Sequence, residues 1–245
     1  TQHRTEITNM RLIDLHAHSS GISRCCKLPG DKILDTAKAY GYGGIALSNH
    51  FEKNYIDSDG YDAFVDRYMA EYESVKTYGD TIGLTVFFAV ELTLEFNRCV
   101  HMLLYGADST FLHAQKNLYE LLPDELYRVC HDHGIFVVQA HPYRNGTHPL
   151  PTDCVDGYEI NCHPIYKKTY SGQLLAYQRE NGMVLTCGCD YHGDSERVHG
   201  GVLLPDDITT EDALVHYLRT TPCMELQVQE VGADTVQRYS VPVRR

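Results

Sequence analysis

His16 and His18 stand two residues apart, just past the apolar run Leu12 to Leu15. In extended chain, residues i and i+2 point to one side, so both imidazoles can reach one ion. Asp190 and His192 repeat that spacing after the run Met183 to Gly188. Three more apolar runs end in a potential ligand, giving Ser48-Asn49-His50, Val90-Glu91 and Ala140-His141. His101 instead begins its run, and it reaches the same rim only if Leu92 to Cys99 turns the chain back. The stretch Leu84 to Tyr105 therefore reads as a hairpin. A carboxylate at the end of an apolar strand is costly to bury unless it is charge-paired or metal-bound. One histidine, one HxH or one DxH means little alone. Six histidines and two carboxylates at successive strand edges point to a multinuclear metal site.

The elements that must position these residues follow from hydrophobic periodicity. Strands are expected at Leu12–Leu15, Gly44–Leu47, Leu84–Val90, Val100–Tyr105, Ile135–Ala140, Gly157–Asn161 and Met183–Cys187. Helices are expected at Asp31–Tyr40, Tyr61–Tyr78, Leu112–His133 (with a break at Pro123) and Gly172–Asn181. A helix at Glu211–Arg219 and a strand at Met224–Val228 close the chain. The alternation favours a parallel sheet with helices outside, in one barrel-like α/β domain. An open doubly wound sheet is the alternative. No GxGxxG follows the first strand and no GxxxxGK[ST] occurs, so nucleotide cradles are unsupported. In an α/β barrel the chemistry sits at the C-terminal strand ends, where these ligands fall.

Composition narrows the class. The 245 residues include 14 histidines and no tryptophan, and the net charge is −12. Such an acidic chain is poorly suited to nucleic acid or anionic membrane, because its field repels phosphate backbones. Nine cysteines, an odd number without a CxxC, fit a reducing cytosol. No charged-then-apolar leader opens the sequence, and the longest apolar stretch, Ile82 to Leu94, is too short to span a bilayer. A cytoplasmic protein is expected. Residues 1–9 read as an extension before a domain at 10–245.

The segments DLHAHS, GIALSNH, AVEL, VHMLLYG, QAHPYR, GYEIN and GCDYH, in this order, resemble the PHP (polymerase and histidinol phosphatase) superfamily. The resemblance runs from Leu12 to about Leu204 and implies a distorted (β/α)7 barrel, a single domain with seven strands and outer helices. It also implies two or three divalent ions. His16, His18, Glu91 and Asp190 would hold one; Glu91 would bridge to a second, completed by His101 and His141; His50 and His192 would hold a third. Ser23 stands near the place of an aspartate that many members use for the third ion, which leaves that site weak, empty or completed by substrate or water. Asn49 stands where an aspartate is frequent and is expected to orient His50. The mostly histidine and carboxylate ligand set suits zinc, manganese or iron and does not choose among them.

The activity implied is hydrolysis of a small phosphate ester by metal-activated water. Glu91 is then central to catalysis, His192 or His50 is a candidate proton donor, and Arg144 is the first choice for a phosphate clamp. Arg24, Lys27 and Arg197 are weaker choices. The net charge favours a small phosphorylated substrate over a long polyanion. The competing classes are an amidohydrolase-type enzyme cleaving a C–N or C–O bond, and a non-catalytic metal-binding module. The former usually carries a bridging lysine, and no strand here ends in one. His113, His131, His133 and His216 read as solvent-facing helix residues, and His148, His163 and His199 as surface-loop residues near the ligand-bearing edge. His3 lies in the extension. The adjacent Cys25 and Cys26 are expected to pack in a loop, and Cys187 and Cys189 beside the Asp190 strand end.

Overall fold

A computed structural model describes residues 9–244. All but the last residue of the expected extension, Thr1–Asn9, lies outside the described residues.

Seven strands carry the candidate site: β1 (Met10–Ala17), β2 (Gly44–Leu47), β4 (Thr85–Thr93), β5 (His101–Tyr105), β6 (Phe136–Gln139), β7 (Gly157–Asn161) and β8 (Val184–Gly188). A two-residue strand β3 (His50–Phe51) pairs with the end of β4, and β9 (Gly201–Pro205), β10 (Cys223–Gln229) and β11 (Val236–Pro242) extend the sheet. The order is β11-β10-β9-β1-β2-β4-β5-β6-β7-β8. The first half of β1 pairs antiparallel with β9. Its far end turns the other way, towards the chain that follows β8. His16 O accepts from Asp190 N at 2.7 Å, and His18 N donates to Tyr191 O at 3.2 Å. These contacts nearly close the seven strands into a barrel.

The helices are α1 (Gly30–Ala39), α2 (Lys53–Asp59), α3 (Tyr61–Ile82), α4 (Ser109–Ala114), α5 (Pro123–Asp132), α6 (Ser171–Asn181) and α7 (Glu211–Thr220). The α3 face reads as expected, with Phe64, Val65, Tyr68, Tyr72 and Val75 buried, but the helix runs past the expected end at Tyr78 and through the buried Gly79, and Gly83 ends it with φ 73°. Apolar burial of this face is what fixes the helix against the barrel. Among the described residues no helix is long and apolar enough to cross a membrane.

The sheet is mixed rather than parallel. β5 runs antiparallel to both β4 and β6, because the seven residues between β4 and His101 form a tight return rather than a crossover helix. The hairpin expected at Leu84 to Tyr105 is this β4–β5 pair. The expected helix Leu112–His133 is two helices joined by a turn. Asn117 takes a left-handed φ of 66°, and Pro123 occupies the first helical position of α5, where its missing N–H costs nothing. The strands β3, β9 and β11 and the helix α2 were not legible from periodicity.

Candidate metal centre

Glu91, near the end of β4, is the centre of the site and is fully buried. Its Oε1 lies 2.8 Å from His101 Nδ1, 3.0 Å from His141 Nε2 and 3.4 Å from His16 Nε2. Its Oε2 lies 2.7 Å from His50 Nδ1 and 3.4 Å from His18 Nε2. Five imidazoles from β1, the loop after it, β3, β5 and the loop after β6 thus surround one carboxylate. Asp190 stands beside it, with Oδ1 3.0 Å from His18 Nε2, 3.5 Å from His16 Nε2 and 3.4 Å from His192 Nδ1. All eight expected ligand residues meet at one end of the barrel, and His101 arrives there because β5 is antiparallel. Three sets could each hold an ion: His16, His18, Glu91 and Asp190; His50, Glu91 and His101; and His18, His50 and His192.

The backbone is shaped for this convergence. His141 and Asp190 take positive φ, 34° and 52°, a conformation that side-chain-bearing residues rarely adopt. Gly188 leaves room for His16: a Cβ there would lie 2.5 Å from His16 Cβ and 2.7 Å from Glu159 Oε1.

Supporting hydrogen bonds fix which nitrogen of the His16 and His18 rings faces inward. His16 Nδ1 donates to Glu159 Oε1 at 2.8 Å. The other Glu159 oxygen accepts from His141 N at 3.1 Å and Asn161 Nδ2 at 3.2 Å. Glu159 lies within the GYEIN segment, and its strand position gave no separate signal of this role. His18 Nδ1 lies 3.0 Å from Ser23 Oγ, which donates its own hydrogen to Asn49 Oδ1 at 2.8 Å. Ser23 Oγ also accepts from His50 N at 3.0 Å. Both of its lone pairs and its hydrogen are therefore committed, and it supports His18 rather than facing an ion. Asn49, expected to orient the His50 ring, instead holds Ser23 and Ser19.

The electrostatics are those of a closely coupled cluster. Burial opposes ionisation of Glu91, yet His50 and His16 hold its carboxyl well below the usual range. Asp190 is held low likewise, by His16 and Arg144 against burial. Burial alone would lower His50, but Glu91 lifts it to about 10. His16 is lifted above its ordinary value by Glu159 and Asp190 against its burial. His141 is pushed down to about 3 by burial and by Arg144. One buried atom facing the middle, His16 Nε2, makes no hydrogen bond. A buried imidazole nitrogen without a partner is costly, and a divalent cation shared with the adjacent Glu91 and Asp190 carboxylates would satisfy it. The donor set of imidazoles and carboxylates fits zinc, manganese or iron.

Arg144 is at the site, but its guanidinium is already engaged. Nη1 donates to Asp190 Oδ2 and Nη2 to Asn161 Oδ1, both at 2.8 Å, and the group lies 3.3 Å from the Tyr166 ring centroid. Arg197 is buried against Asp14 and between the rings of Tyr42 and Tyr191, so it braces the strand rather than facing a substrate. Arg24 bonds Ser58 at 2.6 Å on the outside.

Two residues read as loop residues without a role in the site line it. His163 is buried, its ring centroid 5.7 Å from that of His192 and its Nε2 3.5 Å from Asp194. Cys25 lines the cavity of about 240 Å³ above the cluster, with His50, Glu91, His101 and His192. Partial desolvation raises its thiol, but hydrogen bonds with His192 and His50 outweigh this and bring it down to about 6. Cys26 alone packs as expected, with its sulfur on the carbonyls of His18, Leu28 and His192. His199 lies apart from the cluster, against Tyr40.

No family model and no curated protein matches the chain in sequence. Solved structures do match in shape. A candidate metal-dependent phosphoesterase from Bifidobacterium adolescentis has a TM-score of 0.53 at 16% identity, covering 84% of this chain and 95% of its own. PsfC from Pseudomonas syringae has a TM-score of 0.57 at 17% identity, covering 94% and 91%. An amidohydrolase from Chromobacterium violaceum, solved with sulfate and no metal, has a TM-score of 0.56 at 14% identity, covering 84% and 96%. What they share with this chain is the fold. The wider PHP resemblance is carried by the motifs alone.

Proposed function

We propose that this protein is a metal-dependent phosphoesterase that hydrolyses a small phosphate ester. The observation that carries the metal half is the convergence of buried imidazoles and carboxylates into sets that could each hold an ion, with the buried His16 Nε2 at their centre making no hydrogen bond. The observation that favours phosphate is the positive charge beside it. A cavity of about 350 Å³ adjoins the cluster and is lined by His141, Arg144, Asn161, Lys167, Lys168 and Tyr170, among others. That volume suits a small molecule rather than a polymer.

His16, His18, Glu91 and Asp190 would hold one ion; Glu91, His101 and His141 a second; and His50 and His192 contribute to a third. Bound there, divalent ions supply positive charge at the phosphoryl oxygens and lower the pKa of water. The residues of the chain do the rest. Glu159 and Ser23 hold His16 and His18 in the tautomers that turn Nε2 inward. Arg144 offers its remaining N–H groups to a phosphate from a position fixed by Asp190 and Asn161. Where no third ion is bound, His192, with Nδ1 2.6 Å from its own strand-end carbonyl Asp190 O, keeps Nε2 free to hold or deliver a proton. Phosphoryl transfer needs positioning and charge more than covalent help. The similar folds of a candidate metal-dependent phosphoesterase and an amidohydrolase support a hydrolase reading in either case. A C–N hydrolase of the amidohydrolase type is the competing reading, and among the described residues no lysine lines the cavity over the cluster to favour it.

The deciding experiment is a panel of small phosphate esters, amides and lactones offered to protein loaded with zinc or manganese. Phosphate release from at least one ester is expected. Turnover of amides or lactones only would replace this reading with the competing one.

A further inference from the structure

β7 ends at Asn161, and that one side chain sets two groups in register. Its Oδ1 accepts from Arg144 Nη2 at 2.8 Å and from the backbone N–H of His163 at 3.0 Å. Its Nδ2 donates to Glu159 Oε2 at 3.2 Å, which fixes the orientation of the amide. Arg144 and His163 both line the cavity of about 240 Å³ over the cluster. The His163 ring is buried, with its centroid 5.7 Å from that of His192 and 5.5 Å from that of Tyr166.

One hydrogen bond decides the chemistry of this ring. His163 Nδ1 accepts from the backbone N–H of Ile165 at 3.1 Å. A backbone N–H can only donate, so Nδ1 carries no hydrogen and the neutral ring carries its hydrogen on Nε2. Burial favours the same neutral form, against the pull of Asp190 and Asp194. A nitrogen that carries a hydrogen has no lone pair for a metal, and none of the three candidate ion sets among the described residues includes His163. Asp194 does not take up that hydrogen either. Its Oδ1, on the exposed rim, stands 3.5 Å from Nε2, outside the range of a good N–H···O bond. A donor of fixed tautomer is thus left unspent in the wall of the cavity.

We propose that His163 is a substrate-binding residue whose Nε2–H donates to a phosphate oxygen alongside Arg144. The inference deepens the phosphoesterase reading and rests on it. The two donors differ in what they supply. Arg144 brings positive charge, whereas the neutral imidazole brings direction without further charge. An occupant that lacks an acceptor oxygen at this point leaves a buried N–H unpaired, so His163 would select for the phosphate group itself.

The test is calorimetric titration of inorganic phosphate into zinc-loaded full-length protein, with zinc counted by elemental analysis. Two variants separate binding from loop structure. His163→Asn keeps an oxygen where Nδ1 accepts from Ile165 but has nothing that reaches the place of Nε2. His163→Gln extends an amide N–H to that place and gives up the Ile165 contact. Phosphate affinity should fall about tenfold or more in His163→Asn and less in His163→Gln, with the zinc content of both equal to wild type. The reverse order would make His163 a brace for its own loop and overturn the proposal, as would unchanged affinity in His163→Asn. Loss of zinc in His163→Asn would assign the residue to the metal centre instead and overturn it too. A zinc-loaded wild type that neither binds phosphate nor releases it from any ester would overturn the phosphoesterase reading, and this inference with it. Wild-type binding that survives in His163→Asn removes His163 alone.

Discussion

Arg144 Nη1 lies 2.8 Å from Asp190 Oδ2, while Oδ1 of the same carboxylate lies 3.0 Å from His18 Nε2. One carboxylate thus joins the proposed substrate side of the site to the proposed metal side. Arg144 fixes the rotation of Asp190 and presents its remaining donors to the adjoining cavity. Removing it should disturb both functions, unequally. In Arg144→Ala we expect KM for a phosphate ester to rise about tenfold or more, the range for losing a charge-assisted hydrogen bond. Arg144→Lys should restore little, because an ammonium cannot hold Asp190 and Asn161 in the same fork. An unchanged KM in Arg144→Ala would remove this residue from the substrate site.

Glu91 touches more ligands than any other group in the cluster. Glu91→Gln keeps the volume and removes the charge that five imidazoles share. Metal content should fall and ester hydrolysis should disappear together. If turnover survives in this variant, Glu91 does not bridge two ions.

Glu159 makes no contact with the centre of the cluster, yet it orients His16 from behind. In Glu159→Gln the acceptor for His16 Nδ1–H is weakened, and the amide can present a donor instead. Loss of such a supporting carboxylate typically costs about 10–100-fold in metal affinity. Competition against a chelator of known strength measures this directly, and an unaltered affinity would assign Glu159 to packing alone.

Metal loading should release protons. In the metal-free protein Glu91 lifts His50 to about 10, and Glu159 and Asp190 lift His16 above its ordinary value. At neutral pH both rings hold protons that an incoming ion must displace. Affinity should therefore rise with pH and level off near the folded His50 value of about 10. The stability of the metal-free protein should move the other way. A histidine raised on folding contributes fully below its unfolded value and loses that contribution as pH rises through the folded one. The window for His50 runs from the ordinary histidine range up to about 10. Calorimetric loading in buffers of different ionisation enthalpy counts the protons, and a count of zero would contradict the charge state assigned to both rings.

Gly188 tests the close packing of β8 behind β1. A methyl group there meets the His16 Cβ at 2.5 Å and the His16 backbone N at 2.9 Å. Gly188→Ala should cost about 1–3 kcal/mol, the range for overpacking a tight interior, and should weaken metal retention as His16 is displaced. Thermal unfolding of metal-free and metal-loaded protein separates the two effects. A stability equal to wild type would mean that β8 shifts without consequence.

The order of ligands along the chain was legible in the sequence because each one ends or begins an apolar run. Strand ends are local features, and side-chain alternation brings His16 with His18, and Asp190 with His192, from spacing alone. Seven barrel strands and the β4–β5 hairpin followed from the same pattern. The short β3 did not, since two residues carry no period, nor did β9 and β11, whose partners lie far away in the chain.

Tertiary structure decided what stands behind and above the cluster. Glu159 reads as a polar residue in a buried strand until β7 is set beside β8 and β1. Ser23 reads as a substitute ligand until its three hydrogen bonds are traced to His18, Asn49 and His50. Cys25 and His163 read as ordinary loop residues until the loops fold over the barrel mouth. A sequence fixes residue types and their local period, and so determines which groups can bind a metal. The direction in which a loop side chain points depends on contacts between segments more than a hundred residues apart, and only the folded chain brings those together.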